Sequence, residues 1–338
     1  MEYRNLGRTG VKVSALCLGT MMFGRRTDER DSIEIIEHAL GAGVNFIDTA
    51  NAYSLGESER IVGKALAKSG KRAATVLATK GYFALDQNDP NGRGLSRRHL
   101  IDACNASLER LGTDWIDLYQ VHRPQSDIPI DETLRALDDL VRAGKVRYIG
   151  TSMFPAWKIV ESLWAAKEFG LNRFVSEQCA YHLLDSTVER EVIPAAQTFG
   201  LAVLPWAPLC GGLLSGKYRR DDQSAEGRWH GGKDNFNRPA TPAAWDFIEA
   251  HIAHAKDKRC TVSQLALAWN AAQPGITAPI IGPRTLEQLV DNLGALNVKI
   301  DADDVARIDK LAPPASVTLR YYDVAMAVDM KPNLGRLM

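Results

Sequence analysis

Short apolar runs alternate along this chain with longer segments whose apolar residues recur every three or four positions. The runs predict strands near residues 14–18, 45–49, 75–79, 116–121, 148–150, 173–176, 202–205 and 277–281. The longer segments read as helices. Over residues 31–42, Ile35, Ala39 and Leu40 share one face, His38 puts a basic group in the last turn, and Gly43 ends the pattern. Asp131 and Glu132 open another helix, whose stripe is Leu134, Leu137, Leu140 and Val141 and whose stop is Gly144. Ahead of all these, residues 3–6 and 11–13 flank the turn-rich Gly7-Arg8-Thr9-Gly10, which predicts a hairpin. Strands that alternate with helices imply right-handed crossovers and a parallel sheet. About eight repeats predict an α/β fold of the closed (β/α)8 TIM-barrel kind, with an N-terminal β-hairpin and extra C-terminal helices and loops. No linker-like stretch interrupts the pattern, so residues 1–338 are expected to form a single domain.

Several of these runs end on polar residues. Asp48 closes the second, with Tyr53 just beyond it; Lys80 closes the third, His122 the fourth and Ser152 the fifth. A buried strand has no packing reason to end on a polar or charged side chain each time. A parallel barrel has a functional one, because the C-terminal ends of its strands floor the active site. The residue types suggest acid catalysis. A tyrosine is a weak acid, and a neighbouring cation such as Lys80 would favour its phenolate and lower its pKa. Asp48 would fix Lys80, and His122 would hydrogen-bond a substrate oxygen.

Composition narrows the partners. Apolar residues make up 45% of the chain, enough for one sizeable core. Lys plus Arg and Asp plus Glu are 41 each, and no basic block stands out, which argues against a nucleic-acid or membrane-surface partner. The five cysteines, Cys17, Cys104, Cys179, Cys210 and Cys260, are isolated and odd in number. They read as reduced thiols of a cytoplasmic protein, not as a disulfide framework or a zinc site. The N-terminus has no apolar run of signal-peptide length, and no stretch is long and apolar enough for a membrane span. The pattern carries no signal of oligomeric state. Three segments exceed what a minimal barrel needs: residues 82–98, residues 218–241 with Gly227, Gly231 and Gly232, and residues 313–338 with Tyr321, Tyr322 and Met326. Long loops on a rigid scaffold commonly hold binding specificity.

Three ordered motifs add a resemblance that covers nearly the whole chain. Asp48-Thr49-Ala50-Asn51-Ala52-Tyr53 with Gly56-Glu57-Ser58-Glu59, then Ile130-Asp131-Glu132-Thr133-Leu134 through Gly144-Lys145-Val146-Arg147-Tyr148-Ile149-Gly150, then Ile281-Gly282-Pro283-Arg284-Thr285 with Gln288 and Asn292, are similar to the signatures of the aldo-keto reductases. The resemblance implies a nicotinamide cofactor, NADP(H), held without a Rossmann fold, and no G-x-G-x-x-G is present. It implies catalysis by Tyr53 as proton donor, with Lys80, Asp48 and His122, on a small carbonyl substrate. Cofactor contacts are expected from Gly19, Thr20, Met21 and Asp48, from Ser152 and Gln178 at the carboxamide, and from Trp206 under the ring. Pro208, Leu209, Gly211 and Lys217 are expected at the pyrophosphate. Gly282, Arg284, Gln288 and Asn292 are expected at the ribose phosphate and adenine. Many members carry Asn where this chain has Met153, and Tyr where it has Trp206. Gly211-Gly212-Leu213-Leu214-Ser215-Gly216-Lys217 approaches a P-loop, but Tyr218 stands where a Ser or Thr would bind magnesium. The same resemblance also admits an NAD-linked alcohol or sugar dehydrogenase, or a binding subunit like the potassium-channel beta subunits. Met21, Met22, Phe23, Tyr82, Phe154 and Trp229 are expected as apolar pocket walls. Arg25, Arg26, Arg93 and Arg123 would suit an acidic or phosphorylated substrate.

Overall fold

A computed structural model describes residues 1–86, 88–221, 229 and 240–320. Gly227, Gly231, Gly232, Tyr321, Tyr322 and Met326 lie outside the described residues. The chain starts with an antiparallel hairpin, β1 (Tyr3–Asn5) and β2 (Lys12–Ser14), in which Tyr3 pairs with Ser14. Eight parallel strands follow: β3 (Cys17–Gly19), β4 (Phe46–Asp48), β5 (Val76–Gly81), β6 (Ile116–Val121), β7 (Val146–Ser152), β8 (Phe174–Gln178), β9 (Ala202–Val203) and β10 (Ile280–Ile281). They neighbour one another in chain order, and β10 pairs with β3. The ring closes between β9 and the approach to β10. There Thr277 N donates to Val203 O at 2.9 Å and Ile280 N donates to Pro205 O at 2.7 Å.

Helices α1 (Glu29–Gly41), α2 (Glu57–Ser69), α3 (Arg97–Leu111), α4 (Ile130–Arg142), α5 (Ala156–Glu168) and α6 (Val192–Phe199) alternate with β3 to β9. Then come α7 (Pro242–Asp257) and α8 (Val262–Ala272) before β10, and α9 (Leu286–Leu293) and α10 (Ala302–Asp309) after it. The fold is therefore the (β/α)8 barrel with its hairpin and added C-terminal helices. Helix α1 starts two residues earlier than the apolar spacing predicts, because Asp28 caps it by accepting from Asp31 N. Similarly, Ser96 caps α3 through His99 N, which ends the long polar loop at residue 96 rather than 98. Strands β5 and β7 run past Lys80 to Gly81 and to Ser152, so these polar residues sit inside the ladder.

The strand residues alternate between two apolar layers. Leu18, Ile47, Leu77, Tyr119 and Ile149 pack outward under the helices, and Cys17, Phe46, Ala78 and Leu118 fill the barrel. Leu6 and Val13 of the hairpin are fully buried in that inner cluster and plug its lower end. Among the described residues, alternation breaks between β7 and β8. Ile149 pairs with Phe174, but Thr151 pairs with Glu177, so β8 carries one extra residue opposite β7. This bulge reverses the facing of the strand end: Val175 points into the barrel, and so does Gln178 three residues later.

Candidate active site

At the strand ends opposite the plug lies a cleft of about 500 Å³. Its floor is a buried polar chain. Lys80, fully buried, is an inward position of β5, two residues after Ala78. Its Nζ donates to Asp48 Oδ1, to Thr49 O at 2.9 Å and to Tyr53 Oη at 3.1 Å. The other oxygen of Asp48 accepts from Gln120 Nε2 at 3.0 Å and from Gln178 Nε2 at 2.9 Å. Gln178 Nε2 also reaches Gln120 Oε1 at 3.2 Å. Gln120 is a member of this chain that the strand-end reading missed. It sits within β6 between Tyr119 and Val121, and its only signal is an amide at an inward position.

Tyr53 begins a tight turn in which Ser54, Leu55 and Gly56 all adopt left-handed backbone, with φ of 50°, 54° and 91°. Ser54 Oγ anchors the turn by donating to Phe23 O at 2.8 Å. His122 is buried beside it, with its ring edge-on to Tyr53 at 5.9 Å and to Phe83 at 5.0 Å. Burial, followed by the charges of Lys80 and Arg123, holds His122 well below the usual histidine range, so the ring is neutral at pH 7. Burial works against the ammonium of Lys80, but Asp48 and Tyr53 more than offset it and raise its pKa. For Tyr53 the balance differs from expectation. Burial raises the phenol's pKa, and the opposing charge of Lys80 does not bring it below the ordinary value. At neutral pH the site therefore holds a protonated tyrosine, a protonated lysine and an uncharged histidine.

The cleft wall brings together Gly19, Thr20, Met21, Asp48, Ser152, Gln178, Trp206, Pro208, Leu209, Gly211, Lys217, Gly282, Arg284, Gln288 and Asn292. Ser152 Oγ donates to Gln178 O at 3.1 Å. After Trp206 the chain takes left-handed turns at Ala207, Cys210, Gly211 and Gly212, and residues Cys210–Ser215 form a 3-10 stretch. No α-helix begins at Lys217, so this is not the strand–loop–helix of a P-loop. At the far end, Thr285 caps α9 by accepting from Gln288 N, and Gln288 Oε1 accepts from Arg284 N at 2.9 Å. Asp291, which the sequence reading did not single out, also lines this end. It is tied to α8 by Gln264 Nε2 at 3.1 Å and Thr261 Oγ1 at 3.2 Å.

The expected substrate walls need correction. Met21 and Met22 line the cleft, as do Arg26 and Arg123, and Phe83 joins them. Phe23, Tyr82 and Phe154 are instead buried in the layer beneath the helices, and Arg25 and Arg93 are not among the lining residues. Trp229 is likewise absent from the lining, and its Nε1 donates to Cys210 O at 3.1 Å. No helix among the described residues is long and apolar enough to cross a membrane.

A parallel β/α barrel with a tyrosine, a lysine and a carboxylate joined under a one-sided cleft is the frame of a barrel enzyme. The profile of the Aldo/keto reductase family matches residues 15–313, and the chain belongs to that family of oxidoreductases. It is 42% identical to the uncharacterized oxidoreductase YrpG of Bacillus subtilis, over 95% of this chain and 99% of that one. It is 34% identical to versiconal hemiacetal acetate reductase of Aspergillus parasiticus, over 94% and 98% of the two chains. A probable voltage-gated potassium channel subunit beta of rice, Oryza sativa, is also 34% identical, over 88% of this chain and 92% of its own.

Proposed function

We propose that this chain is a cytoplasmic, NADPH-dependent reductase of small aldehydes or ketones, with Tyr53 as the general acid. The observation that carries the reading is Lys80 Nζ, held by Asp48 and 3.1 Å from Tyr53 Oη on the cleft floor. The wall suits the cofactor. A Cβ built on Gly282 would meet nothing within 4 Å, so the backbone there is open to a ligand. Lys217 and Arg284 bring cations to the same cleft, and Ser152 and Trp206 border its strand-end part. Ser152 and Gln178 would hold the carboxamide, Trp206 the ring, Lys217 the pyrophosphate and Arg284 the ribose phosphate. The five free cysteines suit a reducing compartment.

When bound, the nicotinamide supplies the hydride that the carbonyl carbon accepts. Neutral His122 and Tyr53 orient the carbonyl oxygen by hydrogen bonds. As negative charge grows on that oxygen, the Tyr53 hydroxyl gives up its proton to it. Burial makes Tyr53 a weaker acid than free phenol, yet an alkoxide is more basic still, so the transfer runs downhill. The ammonium of Lys80 stabilises the phenolate left behind, and Asp48 keeps that ammonium charged and in place.

The likeness to potassium-channel beta subunits supports a second reading, a cofactor-binding subunit with little turnover. Oxidation of NADPH with a panel of aldehydes, ketones and sugars separates the two. The reductase reading expects turnover with at least one carbonyl and a fall of about a hundredfold or more in Tyr53→Phe, with NADPH still bound. Near-normal reduction by that variant would sink the assignment of Tyr53. Absence of turnover across the panel with tight NADPH binding would favour the subunit.

A further inference from the structure

Two residues of the cleft wall touch through their polar tips. Trp206 Nε1 donates to the thioether Sδ of Met153 at 3.3 Å, and both residues line the cleft. The two backbones arrive there under constraint. Trp206 N donates to Cys179 O at 2.9 Å, and the next residue, Ala207, turns left-handed with φ 52°. Met153 is itself left-handed, with φ 64°, a conformation that costs a residue with a side chain and persists only where its surroundings impose it. They do so here. Met153 N donates to Gln178 O at 3.0 Å, and Phe154 N donates to Glu177 Oε1 at 3.1 Å. Thr151 Oγ1 donates to the same buried carboxyl group at 2.5 Å. The loop after β7 is thus held in the shape that brings the thioether to the indole edge.

An indole half-buried in a cleft wall needs a partner for its N–H and a fixed plane if a flat ring is to lie on it. Sulfur serves both needs. It is a weak acceptor with apolar character, so it satisfies the N–H without drawing water into the wall. We propose that Met153 is a positioning residue for the cofactor: its sulfur catches the indole N–H of Trp206 and sets the plane against which the nicotinamide lies. The inference rests on the reading of Trp206 as the wall under that ring.

The test compares Met153→Leu, Met153→Gln, Trp206→Phe and the Met153→Leu/Trp206→Phe double variant. Dissociation constants for NADPH are measured by fluorescence titration and melting temperatures in parallel. Leu keeps the bulk and removes the acceptor, so NADPH binding should weaken about fivefold, the scale of one lost hydrogen bond. Gln offers Oε1 at similar reach and should stay within about twofold of the parent. Melting temperatures of all four should stay within roughly 2 °C of one another, since a positioning role is not a folding role. The double variant should bind no more weakly than Trp206→Phe alone, because the sulfur acts only through the indole. Parental affinity in Met153→Leu, a Gln variant as weak as Leu, or losses that add in the double variant would each overturn the proposal. Parental affinity in Trp206→Phe would instead overturn the wall itself, and the role of Met153 with it.

Discussion

Glu177 is a carboxyl group sealed behind the active-site wall. Burial pushes its pKa up to about 8, against hydrogen bonds from Thr151, Phe154 and Met153 that favour its ionised form. In the unfolded chain it ionises near 4.5. Between these values the unfolded state loses a proton that the folded state keeps, so stability present below about 4.5 drains away as pH rises toward about 8. Glu177→Gln keeps an oxygen for Phe154 N and removes the titration. Its melting temperature relative to the parent should therefore climb from pH 5 to pH 8.5, and a difference that stays flat would show that Glu177 does not titrate in this range. Arg284 poses a second question at this scale. Its backbone is fixed by Gln288 Oε1 on one side and by Thr27 Oγ1, at 3.0 Å from its carbonyl, on the other. A guanidinium on a fixed backbone can grip the ribose phosphate in a fork, worth about 1.5–3 kcal/mol, or roughly ten- to two-hundredfold. Arg284→Ala should lose that factor for NADPH and keep its affinity for NADH. Equal losses for both would remove Arg284 from cofactor choice and favour the NAD-linked dehydrogenase.

Between elements, one fastening near the site is ionic. Glu59 of α2 is fully buried and accepts from Arg110 Nε of α3 at 2.6 Å and from Thr79 Oγ1 of β5 at 2.6 Å. One residue earlier, Ser58 Oγ lies 2.8 Å from Thr20 Oγ1 and 3.0 Å from Thr49 Oγ1, which ties α2 to the ends of β3 and β4. Arg110→Met would leave a buried carboxylate without its cation, with only the Thr79 hydroxyl still donating to it, and should cost about 3–5 kcal/mol, read by chemical denaturation; adding Glu59→Gln should recover much of it. A neutral Arg110→Met would show that the pair is dispensable. These contacts also explain what the sequence displayed and what it hid. Asp48, Lys80, His122 and Ser152 were visible because each breaks an apolar run where a barrel strand ends. The helices α1 and α4 were visible because their apolar spacing has one dominant face. Gln120 was hidden because a polar residue inside a strand looks the same whether it faces the barrel or a helix. The bulge in β8 was hidden because an added residue leaves composition unchanged and alters only parity. Phe23, Tyr82 and Phe154 were misplaced for a related reason: an aromatic near a strand end can turn toward either layer.

For the molecule as a whole, the hairpin is the part with no share in the chemistry and a large share in its course. Arg4 donates to Ala271 O at 2.8 Å, Arg8 N to Gly200 O at 2.9 Å, and Leu6 and Val13 close the inner cluster beneath Phe46 and Leu118. A barrel stoppered at one end receives its visitors at the other, and two visitors that share one approach must queue. Ser152 and Gln178, the proposed carboxamide partners, are nearly sealed, only 2% and 3% exposed, so whatever rests on them has to arrive before anything stands in front of it. Under the proposed reductase reading this makes turnover a fixed sequence in time, with the nucleotide first in and last out. An unreactive carbonyl mimic should then inhibit uncompetitively against NADPH, while NADP⁺ inhibits competitively. A mimic that competes with NADPH would mean that substrate enters an enzyme still waiting for its nucleotide, and that the queue does not exist.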